Sequence, residues 1–259
     1  MQKTILITGA TDGIGLATAK MLIALGHNVI LHGRNKAKLI SLKQVLNAYD
    51  YIEADLSDIA QVYNMAEEVK SKFYTIDVLI NNAGVFKSNI VKSVDNLDIR
   101  FAVNVIAPYI LTKELATIMP EDARVINLSS AAQDKVNLKA FYGDLNIDDR
   151  EIYGQSKLAL TMWTNYLALS TKQVLVSVNP GSLLGSKMVK QAFGIEGNDI
   201  EVGARILTKA SLDDEFSDAS GKYYDNDHHK FDNPHPDALN AEKNKEIVKE
   251  IEKILAEKY

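Results

Sequence analysis

The sequence predicts one α/β domain built on a doubly wound parallel sheet, with helices on both faces. Three observations carry that expectation. Short β-branched runs alternate with longer stretches of helical period. The runs are mostly apolar, as strands covered on both faces tend to be. No linker, composition break or internal repeat divides the 259 residues. Parallel pairing requires right-handed crossovers, which place helices on the two sheet faces in three layers. Apolar residues at 46% and charged residues at 24% suffice for a single core spanning residues 1–259.

Strands are expected over 4–8, 28–32, 51–53, 76–80, 124–128 and 174–178. Such sheets bind ligands beyond the carboxyl ends of their strands, so chemistry is sought in the residues that follow each run. After the first comes Thr8-Gly9-Ala10-Thr11-Asp12-Gly13-Ile14-Gly15, then a helical stretch over 16–22. Glycines at 9, 13 and 15 permit a sharp turn, close approach of backbone to a pyrophosphate and tight packing of helix on strand. Backbone N–H groups at the helix start then face the phosphates. A plain glycine turn is the competing reading, and the flanking strand and helix weigh against it. The spacing is Gly-x3-Gly-x-Gly, not the Gly-x-Gly-x2-Gly of the general dinucleotide fingerprint.

The second strand ends in Leu31-His32-Gly33-Arg34-Asn35, with no acid to hold a ribose 2′-hydroxyl. Gly33 leaves room and Arg34 offers a planar cation to a 2′-phosphate, which makes NADP(H) the preferred cofactor and NAD(H) the second choice. Asp12 counts mildly against a phosphate. His27 and His32 read as turn and packing residues. The third strand leads to Asp55-Leu56 and then Ser57-Asp58, where Asp55 can cap the next helix.

The fourth strand runs into Asn81-Asn82-Ala83-Gly84, which alone is turn-like. Asn104 lies inside a helical stretch, where asparagine is a mediocre helix former whose amide needs partners. Ser129-Ser130 follows the fifth strand, and Asn179-Pro180-Gly181 ends the sixth. Between them, Tyr153-Gly154-Gln155-Ser156-Lys157 sets a phenol and an ammonium one helical turn apart. A free tyrosine near pKa ~10 is a poor base at neutral pH. The lysine and an oxidised nicotinamide both favour phenolate, so a pKa lowered toward the operating range is expected. Tyr109 and Lys113 share the spacing, but Tyr109 faces away from Asn104 and reads as packing or interface, with Lys113 a solvated charge.

The glycine spacing and the order of these motifs resemble the short-chain dehydrogenase/reductase family over nearly the whole chain. The resemblance implies a Rossmann-type fold and hydride transfer between nicotinamide and a carbonyl or alcohol. It assigns Tyr153 as general acid/base, Lys157 as its electrostatic partner and Ser130, the second of the serine pair, as substrate anchor. Asn104 would hold a water in a proton relay; an asparagine that merely satisfies backbone groups is the competitor. Cofactor contacts are implied at Gly9, Thr11, Asp12, Gly13, Ile14, Gly15 and Arg34. Asp55 and Leu56 would meet the adenine, and Asn82, Ala83 and Gly84 would border the cofactor. Tyr153, Lys157, Pro180, Gly181 and Leu183 complete the set.

After Pro180-Gly181 the family often has a threonine on the nicotinamide carboxamide. Here the run is Ser182-Leu183-Leu184-Gly185-Ser186, so backbone groups, Ser182 or Ser186 would substitute, and the loop would help close the pocket. The segment from Gln133 to Arg150 is longer than in compact members and is similar to the lengthening in retinol-dehydrogenase-like and protochlorophyllide-reductase-like relatives. It either lines the substrate pocket or forms a surface loop. The resemblance also implies a homodimer or homotetramer paired through the long helices.

A net charge of −5 argues against nucleic acid and anionic membrane as partners and leaves a small carbonyl or alcohol. With no cysteine, disulfides, iron–sulfur clusters and thiolate catalysis are excluded. The opening residues lack a cleavable leader pattern, so a cytoplasmic location is expected. His228, His229 and His235 lack the spacing of a dedicated metal site, and a loop without metal is expected there. Ile247, Ile251, Ile254 and Leu255 form the apolar stripe of a terminal helix, expected to dock on its own core rather than on a partner. Two other functions compete. Sugar-nucleotide epimerases share Tyr-x3-Lys but usually have another glycine spacing and a larger carboxyl-terminal domain. A non-catalytic dinucleotide-sensing protein would keep the fold without turnover.

Overall fold

The computed structural model describes residues 1–258. Its strands β1 (Thr4–Ile7), β2 (Asn28–Gly33), β3 (Asp50–Glu53), β4 (Val78–Asn81), β5 (Arg124–Leu128) and β6 (Val174–Asn179) fall on the six expected runs. Two short strands were not expected, β7 (Tyr223–Asp225) and β8 (Lys230–Asp232). One sheet results, in the order β3-β2-β1-β4-β5-β6-β7-β8, parallel except for the β7–β8 hairpin. The chain reverses direction across the sheet between β1 and β4, the switch point where such sheets open a crevice.

Alternation explains the apolar runs. Ile5 and Ile7 of β1 point into the core on one face, and Leu6 into the core on the other. The first face is covered by α1 (Gly13–Ala24), α2 (Lys36–Leu46) and α8 (Ile200–Leu212). The second is covered by α3 (Ile59–Lys72), α5 (Ala107–Leu115), α6 (Asp149–Leu167) and α9 (Ala241–Lys258). A short α4 (Ile99–Phe101) runs through a π-helical segment, Ala102–Ile106, into α5, and α7 (Lys187–Phe193) follows β6. The stretch Ile99–Ile118 is long and apolar enough to cross a membrane, yet 72% of its apolar window is buried inside the fold.

The polar stretch read as a loop around His228 is the turn of the β7–β8 hairpin. Its strands are too short for periodicity to reveal, and they are pinned by packing of Phe216, Tyr224 and Phe231, whose ring centroids lie 5.1 Å apart. His228 bonds Asp225 at 2.6 Å within that turn. The segment after Gln133 is packed: Phe141 is fully buried against Phe101 at 4.4 Å, and Asp148 caps α6.

The terminal helix docks on its own chain. Ile247, Ile251, Ile254 and Leu255 are buried, and the Tyr109 hydroxyl donates to Glu252, which also pairs with Lys113 at 2.6 Å. Thus α9 covers part of the long-helix face that the resemblance assigns to pairing between copies.

Candidate active site

A cleft of about 440 Å³ opens at the carboxyl ends of the strands. At one end the glycine turn forms a cradle. Gly9 and Gly13 take φ of +65° and +56°, which a side chain would strain, and Asp12 caps α1 by accepting from the Gly13 N–H at 2.9 Å. A Cβ on Gly15 would stand 2.4 Å from Asn82 Nδ2 and 2.5 Å from the Gly9 carbonyl oxygen. That contact is possible because Asn82 reaches under the turn, donating to the carbonyls of Thr8 (2.8 Å) and Gly9 (3.1 Å). Gly9, Gly13 and Ile14 therefore line the cleft, and Gly15 packs beneath it. The backbone surface thus left bare at a helix start fits a pyrophosphate.

His32 sets the turn from the other side. It is 2% exposed; its Nδ1 accepts from the Gly9 N–H at 3.2 Å, and its Nε2 lies 3.2 Å from the Ala54 carbonyl. Those partners require a neutral ring with its proton on Nε2. Burial pushes the imidazole down to about 4, although the Ala54 carbonyl and the Asp55 charge work the other way. Sequence reading took His32 as packing; its signal was its place at the carboxyl end of β2.

The space that Gly33 leaves is occupied by Thr11, whose Cγ2 would lie 2.5 Å from a Cβ there. Beside it, Arg34 is exposed and only loosely paired with Asp55, at 3.9 Å, so its guanidinium remains available to an anion. Asp55 accepts from the amide and hydroxyl of Ser57 at 2.9 and 2.8 Å, and the cap of α3 falls to Asp58. Asp55 and Leu56 both line the cleft. The Asp12 carboxyl is held below its usual range, chiefly by Lys187 at 2.7 Å, with Lys38 adding a weaker pull at 3.9 Å. Its charge, which counted against a phosphate, is thereby compensated.

At the opposite end Tyr153, Lys157 and Ser129 line the cleft; Ser130 is not among the lining residues, although its hydroxyl bonds the Tyr153 phenol. Ser129 is committed elsewhere, bonding Thr161 Oγ1 at 2.7 Å, which leaves Ser130 as the serine that meets the phenol. The Ser130 carbonyl is gripped by the Tyr223 hydroxyl at 3.0 Å and by Gln133 Nε2 at 3.1 Å. Gln133 opens the lengthened segment, which therefore supports the catalytic strand end. Phe86 packs on the Tyr153 ring at 4.8 Å.

The expected lowering of the Tyr153 pKa is not what the side chains produce by themselves. Burial pushes the phenol up to about 12, and the Ser130 hydrogen bond only partly offsets it. Lys157 lies 5.5 Å from the ring centroid and spends its ammonium on the Leu128 carbonyl at 2.7 Å. Burial also draws Lys157 down to about 8. Tyr153 is accordingly protonated at neutral pH. The Tyr109–Lys113 pair has the same cation-over-ring geometry, 5.4 Å, but Tyr109 is 1% exposed, away from any cleft.

Asn104 is 2% exposed in the π-helical segment. Its Oδ1 accepts from the Val85 N–H at 2.8 Å, and its Nδ2 donates to the Val85 carbonyl and to Ser156 Oγ, each at 3.0 Å. The side chain thus braces the loop after β4. A Cβ at Gly84 would lie 3.5 Å from Asn104 Oδ1 and 3.6 Å from Lys157 Nζ, so both groups flank one spot in the cleft. Asn82, Ala83 and Gly84 line it too.

Of the loop after β6, Pro180 and Ser186 line the cleft. Gly181 faces the hairpin, and Leu183 is 43% exposed with φ of +53°. Lys187, Met188 and Gln191 of α7 cover the cleft mouth; sequence reading anticipated a closing loop here but not these side chains.

Residues 3–194 match the family described as short chain dehydrogenase. The chloroplastic short-chain dehydrogenase TIC 32 A of Brassica napus is 31% identical over 253 residues, covering 85% of this chain and 79% of its own length. An uncharacterised protein of Mycobacterium paratuberculosis superposes with a TM-score of 0.81 over 98% of this chain and 93% of that one, at 24% identity. The angucycline C-6 ketoreductase LanV with bound NADP superposes with a TM-score of 0.67 over 86% and 93%, at 26% identity. A family match across well over half the residues settles the membership: this chain belongs to the short-chain dehydrogenase/reductase family of oxidoreductases.

Proposed function

We propose that the cleft takes NADP(H) and that the chain interconverts a carbonyl and an alcohol, with Tyr153 as the proton-transferring group. The observation that carries this reading is that Tyr153 and Lys157 line the cleft that also holds the glycine cradle, with the Ser130 hydroxyl bonded to the phenol. Bound NADPH supplies a hydride to the carbonyl carbon, and NADP+ accepts one from the alcohol. The Ser130 hydroxyl holds the substrate oxygen in place, and Tyr153 gives that oxygen its proton in reduction or takes it in oxidation. Burial around Tyr153 keeps the phenol protonated until its proton is used. Lys157, whose pKa near 8 lies close to physiological pH, restores that proton. Asn104 holds the Val85 backbone beside the lysine.

Preference for the phosphorylated cofactor is supported by Arg34, exposed beside Asp55 with no acid in the β2 turn, and by the NADP bound to the ketoreductase LanV. The test is consumption of NADPH and of NADH against a panel of aldehydes and ketones, for the natural chain and for Arg34→Asp. Arg34→Asp is expected to weaken NADPH by about tenfold to a hundredfold and to leave NADH within about threefold, as loss of a charge-assisted phosphate contact implies. Equal losses on both cofactors would reverse the preference.

A further inference from the structure

Ser182 stands where the family resemblance leads one to expect a threonine on the cofactor, yet both of its hydrogen-bond donors turn to one carboxylate. Its N–H donates to Asp227 Oδ1 at 2.8 Å and its hydroxyl to Asp227 Oδ2 at 2.6 Å. Asn179, the last residue of β6, donates from Nδ2 to Asp227 Oδ2 at 2.9 Å and to Asp225 Oδ1 at 2.8 Å. Asn226 donates to the Pro180 carbonyl at 2.9 Å, and the Gly181 N–H donates to Asn179 Oδ1 at 3.3 Å. From Asn179 to Ser182, each residue is tied to the β7–β8 turn directly or through Asn179.

The backbone needs that grip. Gly181 takes φ of +120° and Leu183 φ of +53°, a left-handed conformation that leucine keeps only when its surroundings hold it. Packing does not hold Leu183, which is 43% exposed; hydrogen bonds do, from the Asn198 N–H to its carbonyl at 2.7 Å and from Ser182 to Asp227 just before it. Although partial burial opposes it, the Ser182 hydroxyl and amide and the Asn179 amide keep the Asp227 carboxyl below its usual range, as anion acceptor. Pro180, at the start of this segment, shares the cleft wall with Tyr153 and Lys157, and Ser186 at its end caps α7.

We propose that Asp227 is the positioning residue for the nicotinamide side of the cleft: by clamping Ser182 and Asn179 it fixes the Pro180–Leu183 turn, and so the wall against which the cofactor's reactive ring rests. The inference depends on the reading of the cleft as an NADP(H) site. Asp227 touches neither cofactor nor substrate, and it acts through the fraction of molecules whose turn is correctly set. Apparent affinity falls in proportion to that fraction.

The test compares two ligands. NADPH spans the whole cleft, whereas 2′,5′-ADP reaches only the adenine and phosphate end. Asp227→Ala is expected to weaken NADPH by about tenfold, the order implied by losing charge-assisted bonds at a partly exposed site, while 2′,5′-ADP stays within about twofold. Ser182→Ala, an exposed position that cannot threaten the fold, should weaken NADPH by about threefold, and Ser182→Thr, which keeps the hydroxyl, by less than about twofold. The double variant Ser182→Ala/Asp227→Ala should be no worse than Asp227→Ala alone, because both remove one clamp. Unchanged NADPH affinity in Asp227→Ala overturns the proposal, and so does a parallel loss of 2′,5′-ADP, which would mark a general structural role. Should the natural chain bind 2′,5′-ADP and NADPH not at all, the cofactor reading itself falls and the clamp with it.

Discussion

Lowering the pH from 7 toward 5 should destabilise the folded chain through one buried ring. In the unfolded chain His32 takes a proton as pH falls through its usual 6.5, whereas in the folded chain burial delays protonation to about 4. Between those values the unfolded state binds more protons, so this contribution to stability is complete above 6.5 and lost progressively down to about 4. The full gap corresponds to about 3 kcal/mol, and the portion between pH 7 and pH 5 to about 2 kcal/mol. For a chain of this size that is a drop of roughly 4–8 °C in Tm. Thermal unfolding followed by circular dichroism at the two pH values, on the natural chain and on His32→Gln, isolates the term from carboxylates that titrate in the same interval. Glutamine does not titrate, and the variant should lose about 2 kcal/mol less than the natural chain across the interval. NADPH affinity should hold from pH 7 to pH 5 and fall only as the pH nears 4, where the folded ring takes its proton and has no lone pair for the Gly9 N–H. Equal losses in both proteins would refute the assignment of His32 as a neutral brace.

Two further outcomes follow from the same geometry. Gly15→Ala would drive a methyl group to 2.4 Å from Asn82 Nδ2 and 2.5 Å from the Gly9 carbonyl; unfolding in urea should show a loss of about 1–3 kcal/mol, with weakened NADPH binding, and a neutral result would mean that the turn can yield. Lys157 is charged below about 8 and neutral above it, so reductive turnover should decline as pH rises through that value, and Lys157→Arg should move the decline upward; a flat profile across this range would remove the ammonium from the proton path.

The central parallel strands were legible because they are buried on both faces and therefore largely apolar, as in Leu79, Ile80 and their neighbours; β3, with only Ile52 buried, was the faintest. The β7–β8 hairpin was not, because three-residue strands carry no measurable period and their aromatic anchors lie far apart in sequence, at Phe216, Tyr224 and Phe231. The glycine cradle and the serine, tyrosine and lysine were readable from spacing, since each sits at a strand end or on one helix face. Their supports were not: His32, Tyr223 and Gln133 act through single hydrogen bonds to backbone groups, which no local pattern announces. Gly181 and Leu183 turned away from the cleft because the hairpin, unseen in the sequence, holds that turn. Burial holds the Tyr153 phenol up to about 12 while Lys157 is engaged with Leu128; the lowering expected from lysine and cofactor together concerns the cofactor-bound state.

Everything in the functional reading depends on the Tyr153 hydroxyl as the source of the proton. The direct measurement is NADPH oxidation with an accepted carbonyl substrate by Tyr153→Phe, alongside NADPH affinity by fluorescence titration. Removing one oxygen should leave cofactor affinity within about twofold while turnover falls by about a hundredfold to ten-thousandfold, the range expected for loss of a general acid. Undiminished turnover in a variant that still binds NADPH would contradict the account.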